Sequence, residues 1–241
     1  MASKNKKVKS SSSDYKNETK KVIEILIGDI YFKPKTDNQK IFYELLDQKE
    51  IVICSGPAGV GKSLISVFKA LELLKSPKNE FYKIVVCTPA VEADEKLGFL
   101  KGTLEEKMNP YIFSTLYLFN KLIGEAKVNQ LREQGFIEIL PLAFMRGVNI
   151  DNSILIAEEF QNATPRQVKT LLTRIGYHSK FIISGDLEQS DRYKNNKESG
   201  LYDALSRLDN VEKIGIFKFE NNDVVRNSVI KEILDRYNNI S

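Results

Sequence analysis

A glycine-rich turn, set between an apolar run and an amphipathic run, limits the possible folds of this chain more than any other segment. It reads Gly56-Pro57-Ala58-Gly59-Val60-Gly61-Lys62-Ser63 and fits the pattern G-x-x-x-x-G-K-[ST]. The apolar run Ile51–Cys54 precedes it, and helical periodicity follows over Lys62–Leu74. Glycines allow the backbone N–H groups of such a turn to approach phosphate oxygens closely, and the helix N-terminus favours an anion. The turn is therefore predicted to be a P-loop, with Lys62 on the phosphates and Ser63 on Mg²⁺.

The rest of the chain repeats this alternation of apolar runs with amphipathic stretches. It predicts an α/β fold of the P-loop NTPase type, with a mainly parallel sheet flanked by helices, and a length of 241 residues favours one domain. The predicted strands are Ile51–Cys54, Ile84–Cys87, Ile137–Leu140, Ile154–Ile156, Phe181–Ile183 and Ile214–Phe217. The predicted helices are Asn38–Leu46, Lys62–Leu74, Leu104–Ile123, Pro165–Arg174, Gly200–Arg207 and Ser228–Tyr237. Within them, Tyr111–Phe119 is rich in β-prone residues, but its long flanks lack turn signals and favour a buried helix.

The first 21 residues differ from the rest in composition. They contain seven lysines and two acids, and they show no apolar periodicity. Such a segment predicts a disordered basic tail over residues 1–21, followed by one domain over residues 22–241. The tail could hold nucleic acid electrostatically, or it could only improve solubility, and its composition does not separate these two roles.

Composition also bears on the compartment. No run of about 18 apolar residues is present, and the lysine-rich N-terminus lacks the apolar region of a secretory signal. Cys54 and Cys87 both lie in apolar, strand-like runs and are expected to be small buried hydrophobes in a reducing compartment. We therefore expect a soluble intracellular protein with no membrane partner.

A second chemical element follows the strand predicted at Ile154–Ile156. That strand leads to the acidic pair Glu158 and Glu159. Beside a P-loop, one carboxylate can orient the water shell of Mg²⁺ and the next can polarise the attacking water. The alternative is an exposed acidic strand end, and the P-loop makes the catalytic interpretation the stronger one.

The strand predicted at Phe181–Ile183 leads to a third polar segment, Ser184–Asp191. In open α/β sheets, ligands bind at the carboxyl ends of the strands, so Gln189 is a candidate to sense the γ-phosphate or to position water. A guanine-specific enzyme would usually carry an N/T-K-x-D element after a later strand, and its absence disfavours GTP.

Several longer segments resemble the PhoH-like family, whose members were named for phosphate-starvation induction and are common in bacteria and their phages. The resemblance extends from about Gln39 to Tyr237, and the segment Pro89–Tyr111 is specific to that family. The matching segments are Gly56–Ser63, Pro89–Tyr111, Pro141–Gly147, Glu158–Gly176, Ser184–Asp191 and Asp223–Asn227.

The resemblance implies a single RecA-like domain related to superfamily-one helicases. It further implies an ATPase that uses ATP and Mg²⁺, a homo-oligomeric ring that is expected to be a hexamer, an RNA-helicase-like link to single-stranded RNA or DNA, and a place in the cytoplasm of a bacterium or a phage-infected host. The matching motif positions give phosphate binding to Lys62, metal binding to Ser63 and Glu158, catalysis to Glu159, γ-phosphate sensing to Gln189, adenine recognition to Gln39, an arginine finger to Arg226 and coupling to a bound strand to Gln161.

Three positions depart from the family pattern. Glu158 stands where an aspartate is usual, Thr88 replaces an arginine, and Asn227 replaces a histidine that often follows Arg226. Because Mg²⁺ demands near-ideal octahedral geometry, the extra methylene of Glu158 is expected to weaken metal positioning and slow turnover. Nucleotide binding is not expected to suffer.

The same residues are also consistent with other functions. The chain could be a nucleotide-binding regulatory module with little hydrolysis, which the Glu158 substitution favours. A small-molecule kinase is the weaker alternative, because no compact arginine-rich lid follows the third strand. Arg146 and Arg174 could face phosphates or form ordinary salt bridges, and His178, the only histidine, is expected at the surface.

Overall fold

The computed structural model describes residues 12–89, 104–193, 195–225 and Arg236. Within these ranges, six strands form one sheet that is flanked by helices. The strands are β1 (Ile51–Ser55), β2 (Lys83–Cys87), β3 (Ile137–Ile139), β4 (Ser153–Ala157), β5 (Lys180–Gly185) and β6 (Ile214–Lys218). The helices are α1 (Ser12–Ile27), α2 (Asp37–Gln48), α3 (Lys62–Lys75), α4 (Leu104–Ile123), α5 (Glu125–Glu133), α6 (Pro165–Leu172) and α7 (Gly200–Arg207).

The order of the strands determines where a site can form. The sheet runs β3-β2-β4-β5-β1-β6, and every pairing is parallel. Strand β5 therefore lies between β4 and β1, and the carboxyl ends of these three strands are neighbours at one edge. The polar segments that follow them are brought together by this order, as expected for an open parallel sheet.

The four central strands, β2, β4, β5 and β1, are largely buried on both faces, whereas the edge strands β3 and β6 are partly exposed; successive side chains of a strand point to opposite sides. Val52 and Cys54 of β1 pack in one core with α1, α2, α3, α4 and α5. Ile51 and Ile53 pack in a second core with α6 and α7. Both cysteines are buried free thiols, which confirms their prediction as small hydrophobes.

The structure confirms the predicted α/β fold and all six predicted strands, with boundaries that shift by one or two residues. The β-prone segment Tyr111–Phe119 lies within α4 and is helical, as its flanks indicated. The predicted helix Ser228–Tyr237 falls outside the described residues apart from Arg236. Helix α5 was not predicted, because it is short and buries only Val128 and Leu131.

The prediction of disorder is wrong for residues 12–21, because α1 begins at Ser12. Ile23 and Ile27 of this helix are fully buried in the core beside α3 and α5. The disorder prediction relied on the lysine-rich composition and the lack of apolar periodicity in residues 1–21, and the apolar residues of α1 that enter the core come after that segment. Residues 1–11 lie outside the described residues.

Lys20 shows how a polar residue of this segment becomes part of the fold. Its side chain is buried, and its ammonium group lies beyond the end of α3, where the last carbonyl oxygens of a helix lack partners. The acceptors are the carbonyl oxygens of Leu74 at 2.9 Å, Ser76 at 3.2 Å and Phe81 at 2.5 Å. Burial lowers the pKa of the Lys20 amine to about 8.

None of the helices in the described ranges combines the length and the apolar character needed to cross a bilayer.

Candidate active site

The predicted phosphate loop forms a compact turn between β1 and α3. Gly61 caps α3 with a left-handed backbone (φ 96°), a conformation that a side chain would strain. A Cβ atom added to Gly56 would lie 2.5 Å from Cβ of Phe219, so the loop also packs too closely for a larger residue. These two glycines allow the tight turn directly before the helix N-terminus, a type of turn whose backbone N–H groups can bind phosphate groups.

Lys62 points into this loop. Its ammonium group donates hydrogen bonds to the carbonyl oxygens of Gly56 at 2.5 Å and Pro57 at 2.8 Å. Burial lowers the pKa of the Lys62 amine, and the nearby acidic groups, Asp186 and Glu159 among them, oppose that shift. The amine is therefore held at the mouth of the loop, where the phosphates of a nucleotide would lie.

Glu158 and Glu159 follow β4 but lie in different environments. Glu158 is buried, whereas Glu159 is exposed to the cleft. The backbone of Glu159 is left-handed (φ 58°, ψ 30°), which is uncommon for a residue with a side chain and often marks a functional position. This turn directs two consecutive carboxylates to two different places.

Only one oxygen of the Glu158 carboxylate accepts a hydrogen bond within the described residues. Its Oε2 accepts a hydrogen bond of 2.5 Å from the Thr115 hydroxyl in α4, and Oε1 is buried without a hydrogen-bond partner among the described residues. Burial raises the pKa of Glu158, while the hydroxyls of Thr115 and Ser63 act in the opposite direction. A buried oxygen without a partner is costly, and a cation beside it would remove that cost.

Gln161 connects the ends of β4 and β5. Its amide nitrogen donates to Oε2 of Glu159 at 2.6 Å and to the backbone oxygen of Gln189 at 3.4 Å, and its amide oxygen accepts from the backbone N–H of Asp186 at 3.1 Å. A Cβ atom on Gly185 would lie 2.4 Å from the same amide oxygen, so the contact requires glycine there. Gln161 was predicted to couple the site to a bound strand, and the described structure places it as a support for Glu159.

These segments surround one cleft of about 270 Å³. Its lining comes from the loop, from the end of β4 and from the end of β5, as the strand order requires. The lining residues are Ala58, Gly59, Gly61, Lys62, Ser63, Glu158, Glu159, Ser184, Gly185, Asp186 and Gln189. The predicted residues Lys62, Ser63, Glu158, Glu159 and Gln189 therefore lie around a single space.

Gln39 also lies beside the loop, but its amide is already engaged. Its Nε2 donates to the carbonyl oxygen of Val60 at 2.8 Å, and its Oε1 accepts from the N–H of Lys35 at 2.7 Å. The side chain is buried. In this structure Gln39 supports the phosphate loop, while adenine recognition by this residue stays a prediction.

Arg226, the predicted arginine finger, lies outside the described residues. The residue before it is described: the N–H of Val225 donates to the carbonyl oxygen of Gly59 at 3.2 Å. Asp223, two residues earlier, accepts hydrogen bonds from Asn38 at 2.8 Å and from the N–H of Glu220 at 2.9 Å. The chain is thus fixed to the phosphate loop immediately before Arg226.

Two residues of the site were not predicted. Thr115 carries no recognisable signal, because it lies within a largely apolar helix that is far in sequence from the three strand ends. Asp186 did carry a recognisable signal in the sequence, since it directly follows β5 at the same edge of the sheet as Glu158. It is buried, its Oδ1 accepts from the N–H of Glu188 at 3.0 Å, and its Oδ2 has no partner among the described residues. His178 is exposed, as predicted, and lies outside the cleft lining.

Comparison with known proteins finds a matching family model and several similar proteins. The family model described as PhoH-like protein matches residues 31–238. A PhoH-like protein of Bacillus subtilis (strain 168) is 40% identical over 203 residues, which cover 84% of this chain and 63% of that protein. Protein PhoH of Escherichia coli (strain K12) is 36% identical over 205 residues, covering 84% of this chain and 57% of that protein. The chain thus spans about three fifths of the length of these relatives.

A solved structure agrees with the fold. The large terminase of a thermophilic bacteriophage superposes with a TM-score of 0.53 at 11% sequence identity, covering 85% of this chain and 50% of that one. At this identity the likeness concerns the architecture alone.

Proposed function

Because the chain belongs to the PhoH-like protein family, we propose that it binds ATP with Mg²⁺ and hydrolyses it. The observation that carries this proposal is the convergence of three strand ends on one cleft. Residues of the phosphate loop, both residues of the acidic pair, and Ser184, Gly185, Asp186 and Gln189 line that cleft. These are the groups that phosphoryl transfer to water requires: a phosphate cradle, a carboxylate for the metal and a carboxylate for the water.

Each residue has a distinct task in this proposal. Lys62 and the loop N–H groups bind the β- and γ-phosphates. Glu159, exposed in the cleft and oriented by Gln161, accepts the proton of the attacking water. Gln189 lines the cleft beside the position expected for the γ-phosphate.

Ser63 and Glu158 fit a magnesium ion. Both supply oxygen atoms, which Mg²⁺ prefers, and Glu158 has a buried oxygen without a partner in the described structure. Few protein ligands are needed, because Mg²⁺ in such sites keeps several waters and binds substrate phosphates. The bound ion would neutralise charge on the phosphates.

We further propose that the active form is a homo-oligomeric ring, a hexamer by family resemblance, in which Arg226 of one subunit completes the site of the next. The trans role follows from the family resemblance; within its own subunit, the hydrogen bond from Val225 to Gly59 fixes the chain before Arg226 at the rim of the loop. We also propose that the ring acts on single-stranded RNA or DNA in a helicase-like manner, in the cytoplasm of a bacterium or a phage-infected host.

A second candidate function is a nucleotide-binding regulatory module with little hydrolysis. The observation that favours it is the environment of Glu158, which is one methylene longer than the usual aspartate and whose pKa is raised by burial. Tight ATP binding without turnover, with turnover restored in Glu158→Asp, would establish this alternative.

The decisive experiment measures phosphate release from Mg-ATP together with mass in solution, with and without single-stranded RNA or DNA. We expect hydrolysis by the wild type and its loss in Lys62→Ala and Glu159→Gln. Lys78→Ala and Glu133→Gln, which alter exposed residues away from the cleft, serve as matched controls and should hydrolyse normally. Absence of wild-type hydrolysis with every strand and in every oligomeric state would refute the enzymatic proposal.

The same assay tests the trans role of Arg226. Arg226→Ala should abolish turnover and leave nucleotide binding to the isolated subunit intact. Loss of binding in the isolated subunit would show that Arg226 acts within its own subunit.

A further inference from the structure

A second cavity lies at the same edge of the sheet as the cleft. Its volume is about 400 Å³, and it forms between the 3-10 turn Leu142–Met145, which follows β3, and the start of α6, which follows β4. The lining residues are Leu142, Ala143, Arg146, Thr164, Arg166, Gln167 and Thr170. None of these residues lines the candidate ATP cleft.

The two arginines of this cavity are its unsatisfied groups. Arg146 and Arg166 are exposed, and within the described ranges neither guanidinium has a hydrogen bond or an ion pair. Three neutral polar atoms of the wall already form hydrogen bonds. The Thr164 hydroxyl accepts from the N–H of Gln167 at 3.1 Å, the Gln167 amide oxygen accepts from the N–H of Thr164 at 2.8 Å, and the Thr170 hydroxyl donates to the carbonyl oxygen of Arg166 at 2.8 Å. An anion is the ligand that would satisfy the remaining donors.

The surrounding sequence strengthens the positive charge. No acidic residue occurs between Glu138 and Asp151, which includes the 3-10 turn. None occurs between Glu159 and Asp186, which includes all of α6. Both walls of the cavity therefore come from acid-free segments, in a chain whose acids and bases are otherwise nearly balanced. A polyanion fits this surface better than a single small anion.

An aromatic side chain stands on the same turn. Phe144 is 54% exposed, whereas Leu142 and Met145 on either side of it are buried and anchor the turn. An exposed aromatic ring two residues before the exposed Arg146, with Arg166 in the facing wall of the cavity, suits single-stranded nucleic acid, because rings stack on bases and arginines contact phosphates. A double helix would not offer unstacked bases to this ring.

We propose that this cavity binds a single-stranded nucleic acid, with Arg146 and Arg166 on successive phosphates and Phe144 stacked on a base. The inference rests on the proposed function, since it assigns a site to the nucleic-acid partner proposed above. The site is also connected to the ATP cleft. The chain from Glu159 passes through one 3-10 turn, Phe160–Asn162, to Thr164 in the wall of the cavity.

The test measures fluorescence anisotropy of labelled 20-nucleotide RNA and DNA of mixed sequence, bound to the full chain at several salt concentrations. We expect Arg146→Ala and Arg166→Ala each to weaken binding and to reduce the slope of log K against log [salt] by about 0.7, the value for one phosphate contact on a single strand. Lys78→Ala removes one charge from an exposed position between α3 and β2, at the opposite edge of the sheet, and should keep the wild-type slope. The lysine-rich N-terminus is present in every variant, so its contribution cancels.

Phe144→Ala provides an independent readout. It should weaken binding about tenfold, because stacking is lost, and leave the salt slope unchanged. On an abasic strand, Phe144→Ala should bind like the wild type. The two strands, RNA and DNA, show whether the 2′-hydroxyl contributes.

The possible results of these experiments lead to different conclusions. Wild-type slopes in the Arg146→Ala/Arg166→Ala double variant would overturn the proposal, and so would equal losses for Lys78→Ala. Binding of inorganic tripolyphosphate at the arginines without any effect on strand binding would identify a small-anion site and overturn it too. ATP binding, measured by calorimetry on the same variants, separates the two proposals. If the strand binds through these arginines while the wild type binds no ATP, only the proposed function fails.

Discussion

The Thr115 hydroxyl in α4 donates a hydrogen bond of 2.5 Å to Oε2 of Glu158, a residue 43 positions later in the chain. This contact holds one oxygen of the carboxylate and leaves the other for a cation. It also restrains the Glu158 side chain, which is one methylene longer than the usual aspartate. A longer side chain has more rotamer freedom, and a short hydrogen bond in a buried place restricts it.

We therefore predict that Thr115→Val raises the Mg²⁺ concentration needed for ATP binding by a factor of about 10 to 150, since a hydrogen bond to a charged group contributes about 1.5–3 kcal/mol. Calorimetric titration of ATP at several Mg²⁺ concentrations measures this directly. Thr115→Ser keeps the hydroxyl and should behave as the wild type. Thr173→Val, which alters an exposed threonine, controls for the change of residue type. Equal Mg²⁺ dependence in all four proteins would contradict the role of Thr115.

The second prediction concerns Gln161, which orients Glu159. Gln161→Met has a similar volume but removes the bonds to Glu159 and Asp186. We expect kcat to fall about 100-fold with little change in KM, because a small displacement of a catalytic base costs about that factor. Steady-state kinetics provide the measurement, and circular dichroism verifies the fold. A rise in KM at unchanged kcat would show that Gln161 acts on nucleotide binding instead.

Gln39 permits a test of two roles with one variant. In the structure its amide nitrogen donates a hydrogen bond to the carbonyl oxygen of Val60 in the phosphate loop. If this support is its main task, Gln39→Ala should weaken ATP and GTP binding by the same factor, since both nucleotides use the loop. If the residue recognises adenine, only ATP binding should weaken. Competition binding with both nucleotides distinguishes these results, and the observed geometry predicts the first.

Lys20 predicts a pH dependence of stability. Its pKa in the folded protein is lowered to about 8 by burial, below the value of 10.5 expected in the unfolded chain. Between these values the unfolded state binds more protons, so the cost of burying this charge is fully present below pH 8 and disappears as the pH rises to 10.5. The free energy of unfolding of the wild type, relative to Lys20→Met, should therefore increase over that window.

Urea unfolding at intervals from about pH 7 to about pH 10.5 measures this difference. Lys21→Met alters the adjacent, exposed lysine and should show no such trend relative to the wild type. A flat difference for Lys20→Met, or one that falls with pH, would contradict the buried position of the Lys20 amine.

The sheet could be predicted from the sequence because its strands are short apolar runs separated by turn signals. Ile51–Ser55 and Ser153–Ala157 are buried along their whole length, so burial on both faces leaves a clear pattern. Helix α1 could not be predicted in the same way. Its stability depends on contacts with α3 and α5, including the bonds from Lys20 to carbonyl oxygens more than 50 positions away.

The residues of the candidate site likewise fall into two groups, those that the sequence could predict and those that it could not. Lys62, Glu158 and Gln189 could be predicted because each follows a strand, and strand ends of a parallel sheet meet at one edge. Thr115 and the support given by Gln161 could not, because they depend on how α4 and the end of β5 pack against the acidic pair. Local sequence patterns identify the groups that would contact the ligand. Tertiary packing determines which other residues hold those groups in position.

Titration calorimetry of the purified chain with Mg-ATP shows whether the cleft is a nucleotide site. We expect measurable binding by the wild type and a loss in Lys62→Ala, whose ammonium group lies at the mouth of the phosphate loop. Lys78→Ala should bind like the wild type. If folded wild-type protein released or absorbed no heat with any magnesium-complexed purine nucleotide, the cleft would not be a nucleotide site and the account would be wrong.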